Sequence, residues 1–492
     1  MMRRLRFVTV LPLLAALTGC FNLAPDFHRP KPAIPDQWPD AAPATATHAN
    51  AIPVRKLGWH QFFVDPRLRR TVQLALNNSQ DLRQAALDIE KARAEYHLEG
   101  AALFPSIDAT GSATIEKSSD ESSSTSASSS DDISKSSSLS LGFTSYELDF
   151  FGQLRNNKQA AFQSLLSSAA TRRSTQISLI AETANDWLTL AADKALLELA
   201  AKTLTSQRDY YQKVMGRHRL GLNTGSDVDD ARASVASARE DVASYTATVA
   251  QDRNALNLVA GTTIPKADLP ADVLPDNAVL TTLPSGVPSR VLRNRPDVLA
   301  VEHTLKADNA DIGAARAAFF PTVSLTASAG YATEGLTHLV SSDNRTWSVG
   351  PTISLPIFDF GSNRATLNEN KTQKLIDLAD YQQTIQTAFE EVANALATRA
   401  TIGEQLAAQR ELVDARRGSY RRTRAQQGIG TASSLDVYEA QQSYYSAEQT
   451  MISKRLSRDT NLVTLYKVLG GGVLSDTART SGNDDATRDS SS

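Results

Sequence analysis

One plan occurs twice in this chain, and each copy carries a stretch of close to seventy residues that no proline interrupts. Residues 152–220 and 361–427 contain no Pro. As a single α-helix, each reaches roughly 100 Å at about 1.5 Å per residue. The repeat itself is visible in matched residues. Asp81, Ala94, Phe104 and Pro105 recur at Asp297, Ala310, Phe320 and Pro321, shifted by 216. Gly152 and Arg155 recur at Gly361 and Arg364, shifted by 209. Gly221, Ser226, Asp229 and Ala233 recur at Gly428, Ser433, Asp436 and Ala440, shifted by 207. Each copy reads helix, strand, loop, strand, long helix, turn, helix.

The first copy spans residues 58–261. It places a helix at 66–103, strands at about 105–116 and 138–149, a long helix at 152–220 and a helix at 227–260. The second spans 289–472. It places a helix at 289–318, strands at about 322–331 and 347–357, a long helix at 361–427 and a helix at 433–469. A Pro-rich linker, 262–288, joins them, and the Ser- and Asp-rich residues 473–492 read as a disordered tail.

The strands alternate apolar and hydroxylic side chains. Ile107, Ala109, Gly111, Ala113 and Ile115 alternate with Ser106, Asp108, Thr110, Ser112 and Thr114. Val323, Leu325, Ala327, Ala329 and Tyr331 alternate with Ser324, Thr326 and Ser328. Trp347, Val349, Ile353, Leu355 and Ile357 form one face of the fourth segment, although Pro351 interrupts its ladder. Their length approaches the 9–11 residues or so that cross a bilayer as tilted strands. One face then meets lipid and the other water. A soluble sandwich with one wet face needs more strands than two hairpins supply. Four strands close no barrel around water, since barrels begin at about eight. Three copies supply twelve. The fold class read here is therefore mixed α and β, with a transmembrane β-barrel and a long antiparallel α-helical barrel formed by a homotrimer with four strands per subunit. The short helices stacked end to end match the long ones, with seams such as Leu188, Ala191, Ala195, Leu199.

The N-terminus reads as an export signal over residues 1–19. Arg3, Arg4 and Arg6 precede an apolar stretch, Phe7 to Leu17, too short for an ordinary span. Leu17-Thr18-Gly19-Cys20 follows, similar to a bacterial lipobox. Cys20 is the only cysteine, so no disulfide forms within the subunit and the residue reads as an acyl acceptor. The expected cofactor list is empty apart from this covalent lipid. Residues 20–57 carry seven prolines and read as an extended tether. Net charge is −3, or 48 − 54 = −6 without the signal, and gives no reason to expect nucleic acid as a partner.

At this point the residues resemble a known family. The segments LTGC (17–20), GWHQFFVDPRL (58–68), YELDFFG (146–152), RNRPDVLAVE (293–302), ARAAFFP (315–321), LPIFDFG (355–361), AFEEVANAL (388–396) and TLYKVLGGG (464–472) run in order along the chain. Together they resemble the outer membrane factors of tripartite efflux systems, the TolC-like proteins, in the lipoprotein branch of NodT or OprM type. The resemblance implies a homotrimer with a twelve-stranded outer-membrane barrel and a periplasmic helical barrel. It implies docking to a periplasmic adaptor and to an inner-membrane pump, often of the resistance-nodulation-division type. The localisation it implies is the outer membrane, with a lipid anchor.

The functional residues of a conduit are those at its constriction. The turns at 221–226 and 428–434 read as the inner tips. The resemblance implies a gate of an apolar residue and an acid on the helix after the second tip, and Leu435 and Glu439 match that spacing. Gln442 stands where some members carry Arg. Asp227, Asp229 and Asp230 after the first tip, with Asp436 after the second, are candidates for a further acidic ring. Acids in a first helical turn also complement the helix dipole, which is the competing reading. No HExxH, P-loop, dinucleotide or nucleophile-elbow motif is present, so neither an enzyme nor a metal site is expected. Gly470-Gly471-Gly472 follows a helix and reads as a stop, not a phosphate loop. The rivals are a lipid-anchored periplasmic scaffold, which needs no strand pairs, and an envelope enzyme, which needs a catalytic constellation.

Overall fold

Prolines and glycines set where each helix runs. The computed structural model describes residues 22–31, 34, 35, 38, 54–117, 133–271, 275, 278–280, 289–336 and 338–472. A single helical turn, Trp59–Phe62, precedes α1 (Pro66–Asn78) and α2 (Gln80–Ala101). The expected helix 66–103 is thus two helices. Ser79 divides them: its Oγ accepts from Leu82 N at 3.4 Å and restarts the second. Strands β1 (Asp108–Lys117) and β2 (Ile133–Leu148) follow, then α3 (Gln153–Arg219) and α4 (Gly225–Ala260). The second copy has α5 (Pro296–Ala317), β3 (Thr322–Thr333), β4 (Arg345–Ser354), α6 (Ser362–Gly428) and α7 (Ser434–Val468). The expected helix from 289 begins instead as a 3₁₀ segment, Ser289–Asn294. Pro296 disfavours a helical Arg295 and takes the first position of α5.

The chain divides into two compact units. One comprises Met1–Pro30, Ile89–Ser168 and Val301–Asp380; the other comprises Lys31–Asp88, Ala169–Ala300 and Tyr381–Ser492. The first holds a four-stranded sheet in the order β1-β2-β3-β4, antiparallel throughout. The β2–β3 pairing joins the two repeats. β2 starts at Ile133, before the expected strand at about 138 and within the stretch left as loop between the two strands. Ser134, Ser136 and Ser138 pair with Glu116, Thr114 and Ser112, so ladder bonds override their weak strand preference. A register shift falls between Phe143 and Tyr146, where one extra residue bulges.

The two faces of this sheet differ as the alternation requires. Thr110 meets Ser140 at 2.8 Å, Ser112 meets Ser138 at 2.8 Å and Ser328 meets Ser348 at 2.9 Å, all hydroxyl to hydroxyl. On the opposite face, Ala109, Leu141, Ala329 and Trp347 follow one another across the four strands. Among the described residues that apolar face has no cover: Trp347 is 79% exposed, Ile115 72% and Ile353 70%. A contiguous apolar face of this kind marks a surface that meets lipid or protein.

The second unit has an apolar core built on Trp187, Leu188, Leu190, Phe62, Phe63 and Tyr466. Tyr466 stacks on Phe62 at 4.4 Å and donates to the Leu57 carbonyl at 3.1 Å. Gly471 packs against this ring, and a Cβ there would approach it to 2.4 Å. The glycine triplet is therefore a helix stop closed against the core. Arg295, from the RNRPD motif, is buried and bridges Asp297 at 2.7 Å and Glu391 at 2.8 Å, and donates to the Val468 carbonyl.

Candidate functional site: the helix tips

α3 and α6 end in the same way. Gly221 and Gly430 adopt left-handed backbone, with φ of 71° and 82°. Leu222 N donates to the Arg217 carbonyl and Thr431 N to the Gln426 carbonyl, both at 2.9 Å. These bonds satisfy carbonyls that the helix end leaves open. Each following helix opens with a capping box. At the first tip, Asp227 Oδ2 accepts from Thr224 N and Thr224 Oγ1, both at 2.8 Å, while Asp227 N donates to that hydroxyl at 3.2 Å. At the second, Asp436 Oδ2 accepts from Ser433 N at 2.8 Å and Ser433 Oγ at 2.7 Å, and Asp436 N donates back at 3.1 Å.

This geometry corrects the register of the repeat. Thr224, not Ser226, is the counterpart of Ser433, and Gly221 matches Gly430. The shift at the tips is therefore 209, as at Gly152 and Gly361. Ser226 then corresponds to Leu435, and Asp230 to Glu439. Both capping acids sit below the ordinary carboxylate range. For Asp227 the main cause is the Thr224 backbone bond, and for Asp436 the Ser433 hydroxyl.

Leu435 is 60% exposed, and Glu439, Asp229 and Asp230 are exposed. Leu435 and Asp230 face one cavity of about 350 Å³, together with Tyr210, Asp227, Ser434 and Tyr438. Sequence reasoning missed the residues that link the two hairpins here. Gln427 Nε2 donates to Tyr210 Oη at 2.8 Å and to Ser434 Oγ at 3.3 Å. Further along, Gln449 Nε2 donates to Tyr245 Oη at 3.0 Å. Within the second hairpin, Arg417 bonds Glu448 at 2.9 Å and Tyr444 at 3.1 Å. Polar residues on an already polar helix give no spacing signal, which is why they escaped notice.

The acids of the strand–helix motifs are loop staples. Asp149 Oδ2 accepts from Arg155 N at 2.9 Å, and Asp359 accepts from Gly361 N at 2.9 Å and Asn363 N at 2.8 Å. Two carboxyl pairs lie deeper. Burial, then a hydrogen bond with Asp252, pushes Asp193 up to about 7. Burial, then Asp377, does the same to Asp308. Among the described residues no group of three or more His, Cys, Asp or Glu is arranged to hold a metal. No described helix is long and apolar enough to cross a membrane. Cys20 lies outside the described residues.

Comparison with known proteins agrees with this architecture. The family profile described as "Outer membrane efflux protein" matches residues 71–262 and 287–471. The chain is 42% identical over 456 residues, 93% of each chain, to the "Antibiotic efflux pump outer membrane protein ArpC" of Pseudomonas putida. A membrane protein of Pseudomonas aeruginosa of known structure is similar with a TM-score of 0.84 and 34% identity, over 91% of this chain and 100% of that one. The open state of the MtrE outer membrane channel of Neisseria gonorrhoeae gives 0.82 and 33%, over 92% of this chain and 98% of that one. With matched segments covering both repeats, sheet and helix tips included, this chain belongs to the outer membrane efflux protein family.

Proposed function

We propose that three copies of this chain close a single gated duct through the outer membrane and the periplasm. The protein is an outer-membrane channel component of an efflux system that exports small molecules, and its family is not enzymatic. The observation that carries the trimeric reading is the sheet. Among the described residues its apolar face is uncovered and the edge strands β1 and β4 each pair on one side only. An even number of alternating strands brings β4 of one copy antiparallel to β1 of the next, so closure needs no parallel seam. A closed barrel leaves no unpaired backbone in lipid. Three copies give twelve strands, with the hydroxyl face lining water.

The helices support the rest of the reading. α3 and α6, of 67 residues each, reach roughly 100 Å at about 1.5 Å per residue, a length suited to crossing the periplasm. At their tips Leu435 closes the duct and Glu439 selects cations, with Asp227, Asp229, Asp230 and Asp436 as the alternative ring. A periplasmic adaptor engages the tips and an inner-membrane pump of the resistance-nodulation-division type delivers the cargo. The names of equally similar relatives, ArpC for antibiotics and TtgC for toluene, point to small organic cargo without choosing between these classes. A lipid on Cys20 anchors the N-terminus. The test is migration of the purified protein in mild detergent with and without heating, together with planar-bilayer recording. A heat-sensitive trimer that conducts in discrete steps is expected. A monomer without channel activity contradicts the proposal.

A further inference from the structure

The chain that follows Cys20 lies along α5 (Pro296–Ala317), held by one stripe of that helix. Glu302, Lys306, Asn309, Gly313 and Arg316 are spaced by four, three, four and three, which keeps them on one face. Each meets a different residue of the strap, in reverse order. Arg29 Nη2 donates to Glu302 Oε1 at 2.7 Å. Lys306 pairs with the same carboxylate at 2.8 Å and lies 5.5 Å over the Phe27 ring. Asn309 Nδ2 donates to the Pro25 carbonyl, and Arg316 Nη1 to the Leu23 carbonyl at 3.0 Å. Between them Ala24 packs on Gly313, where a Cβ would come within 2.8 Å of Ala24 Cα.

The two lengths agree. From Leu23 to Arg29 an extended chain advances about 20 Å, at about 3.3–3.6 Å per residue. From Glu302 to Arg316 the helix advances about 21 Å, at about 1.5 Å per residue. Glu302 is only 2% exposed. Burial raises its pKa, but the bonds from Arg29 and Lys306 outweigh burial and hold the carboxyl below its ordinary range. A buried anion whose partner comes from the strap selects one register over its neighbours.

We propose that this stripe is a peptide groove that seats the N-terminal strap in one register and so fixes where a lipid on Cys20 enters the membrane. The second half rests on the reading of Cys20 as the acyl site. Cys20 precedes Leu23 by three residues, about 10 Å of chain at most. Arg316, which holds Leu23, precedes the start of β3 at Thr322 by six residues. Phe319 and Phe320 stand exposed between them, Phe320 stacked on Phe151 at 4.7 Å. The acyl chains are thus delivered to an aromatic rim at the foot of the sheet, where aromatic side chains suit the membrane interface.

The single cysteine makes the test direct. Acylated on sulfur, Cys20 takes no maleimide, so an added cysteine reports alone. In the full-length protein, Ala24→Cys should label about tenfold more slowly than His28→Cys, because labelling needs the strap to leave the groove. Gly313→Leu should bring position 24 to the rate of position 28 without changing heat-sensitive migration. If that variant does not assemble, Asn309→Ala with Arg316→Ala should release the same segment. A bimane on Asn22→Cys should be quenched by brominated lipid in proteoliposomes, and less so with Gly313→Leu. Equal rates at 24 and 28 in the otherwise native chain, or a slow site 24 that none of these variants frees, overturn the groove. No quenching at 22 overturns the membrane placement. Labelling of the chain with no added cysteine overturns the acylation reading instead, and the same two rates in a Cys20→Ser background then decide the groove.

Discussion

The two helix tips share a frame and differ in what the frame displays. Both have a left-handed glycine, a carbonyl-closing bond to the fifth residue back and a Ser or Thr–Asp capping box. In the corrected register the first tip shows Ser226 and Asp230 where the second shows Leu435 and Glu439. Asp227 and Asp436 are spent alike on capping, so neither distinguishes the tips. Among the exposed positions of the two following helices, Ser226 corresponds to Leu435 in this register, Asp229 to Tyr438 and Asp230 to the longer Glu439. On the first of these differences the proposed closure falls at the second tip, because in a trimer three leucines can exclude water from a narrow end where three serines cannot.

The largest expected effect follows from it. Leu435→Ser should raise single-channel conductance severalfold in planar bilayers, while Ser226→Ala should leave it unchanged. Equal effects at the two positions would erase the distinction. Next, Glu439→Gln should lower cation preference, most at low ionic strength where screening is weak. Asp230→Asn should change it less, and a larger effect there would move the acidic ring to the first tip.

Smaller effects should be the same at both tips. Thr224→Ala and Ser433→Ala each remove a cap, costing about 1 kcal/mol of local helix stability. Hydrogen exchange should speed up at the first turns of α4 and α7 alike, with ion preference unaltered. A change of selectivity would show that the caps do more than hold the helices.

The smallest effect concerns the Asp193–Asp252 pair, for which the second copy has no counterpart at Asp193: the residue 209 on is Ile402. Asp193 is raised by burial and Asp252, and Asp186, Glu182 and Tyr245 share its surroundings without an opposing cation among its causes. A raised carboxyl binds protons more tightly in the folded state. Stability should therefore fall as pH rises from near 4 to about 7, and level off above. Asp193→Asn should flatten this slope and raise the melting temperature at pH 8. A melting temperature that does not vary between pH 4 and 8 in the native chain would refute the shared proton.

Much of this frame is legible in the residues. Alternation at Val323 to Tyr331 gives β3 and its two faces, and the absence of proline gives α3 and α6 almost to the residue. The tip register is not legible. The run Thr224-Gly225-Ser226-Asp227-Val228-Asp229 offers two overlapping capping boxes, and only the geometry selects Thr224. Ser134 to Ser138 read as loop because composition outweighs pattern there, whereas the ladder with β1 decides the structure. The break at Ser79 hides in a helical period that continues across it. The strap escapes altogether. Arg29 and Glu302 are 273 positions apart, and neither stands in a motif that announces the other.

The uncovered apolar face of the sheet is proposed to meet lipid while the hydroxyl face meets water, a placement open to test. Its most direct measurement is outer-membrane assembly of arginine substitutions on alternate residues of β3 and β4. Val323→Arg, Leu325→Arg and Ile353→Arg should each reduce heat-sensitive trimer in the membrane fraction, Leu325→Arg most because it lies deepest in the strand, toward the cost of about 2–4 kcal/mol that such a charge carries at the bilayer midplane. Ser324→Arg and Thr326→Arg should assemble nearly as well as the native chain, because their side chains lie on the hydroxyl face, which in the proposed barrel lines water. Equal loss on both faces would describe a sheet buried on both sides, and would contradict the channel.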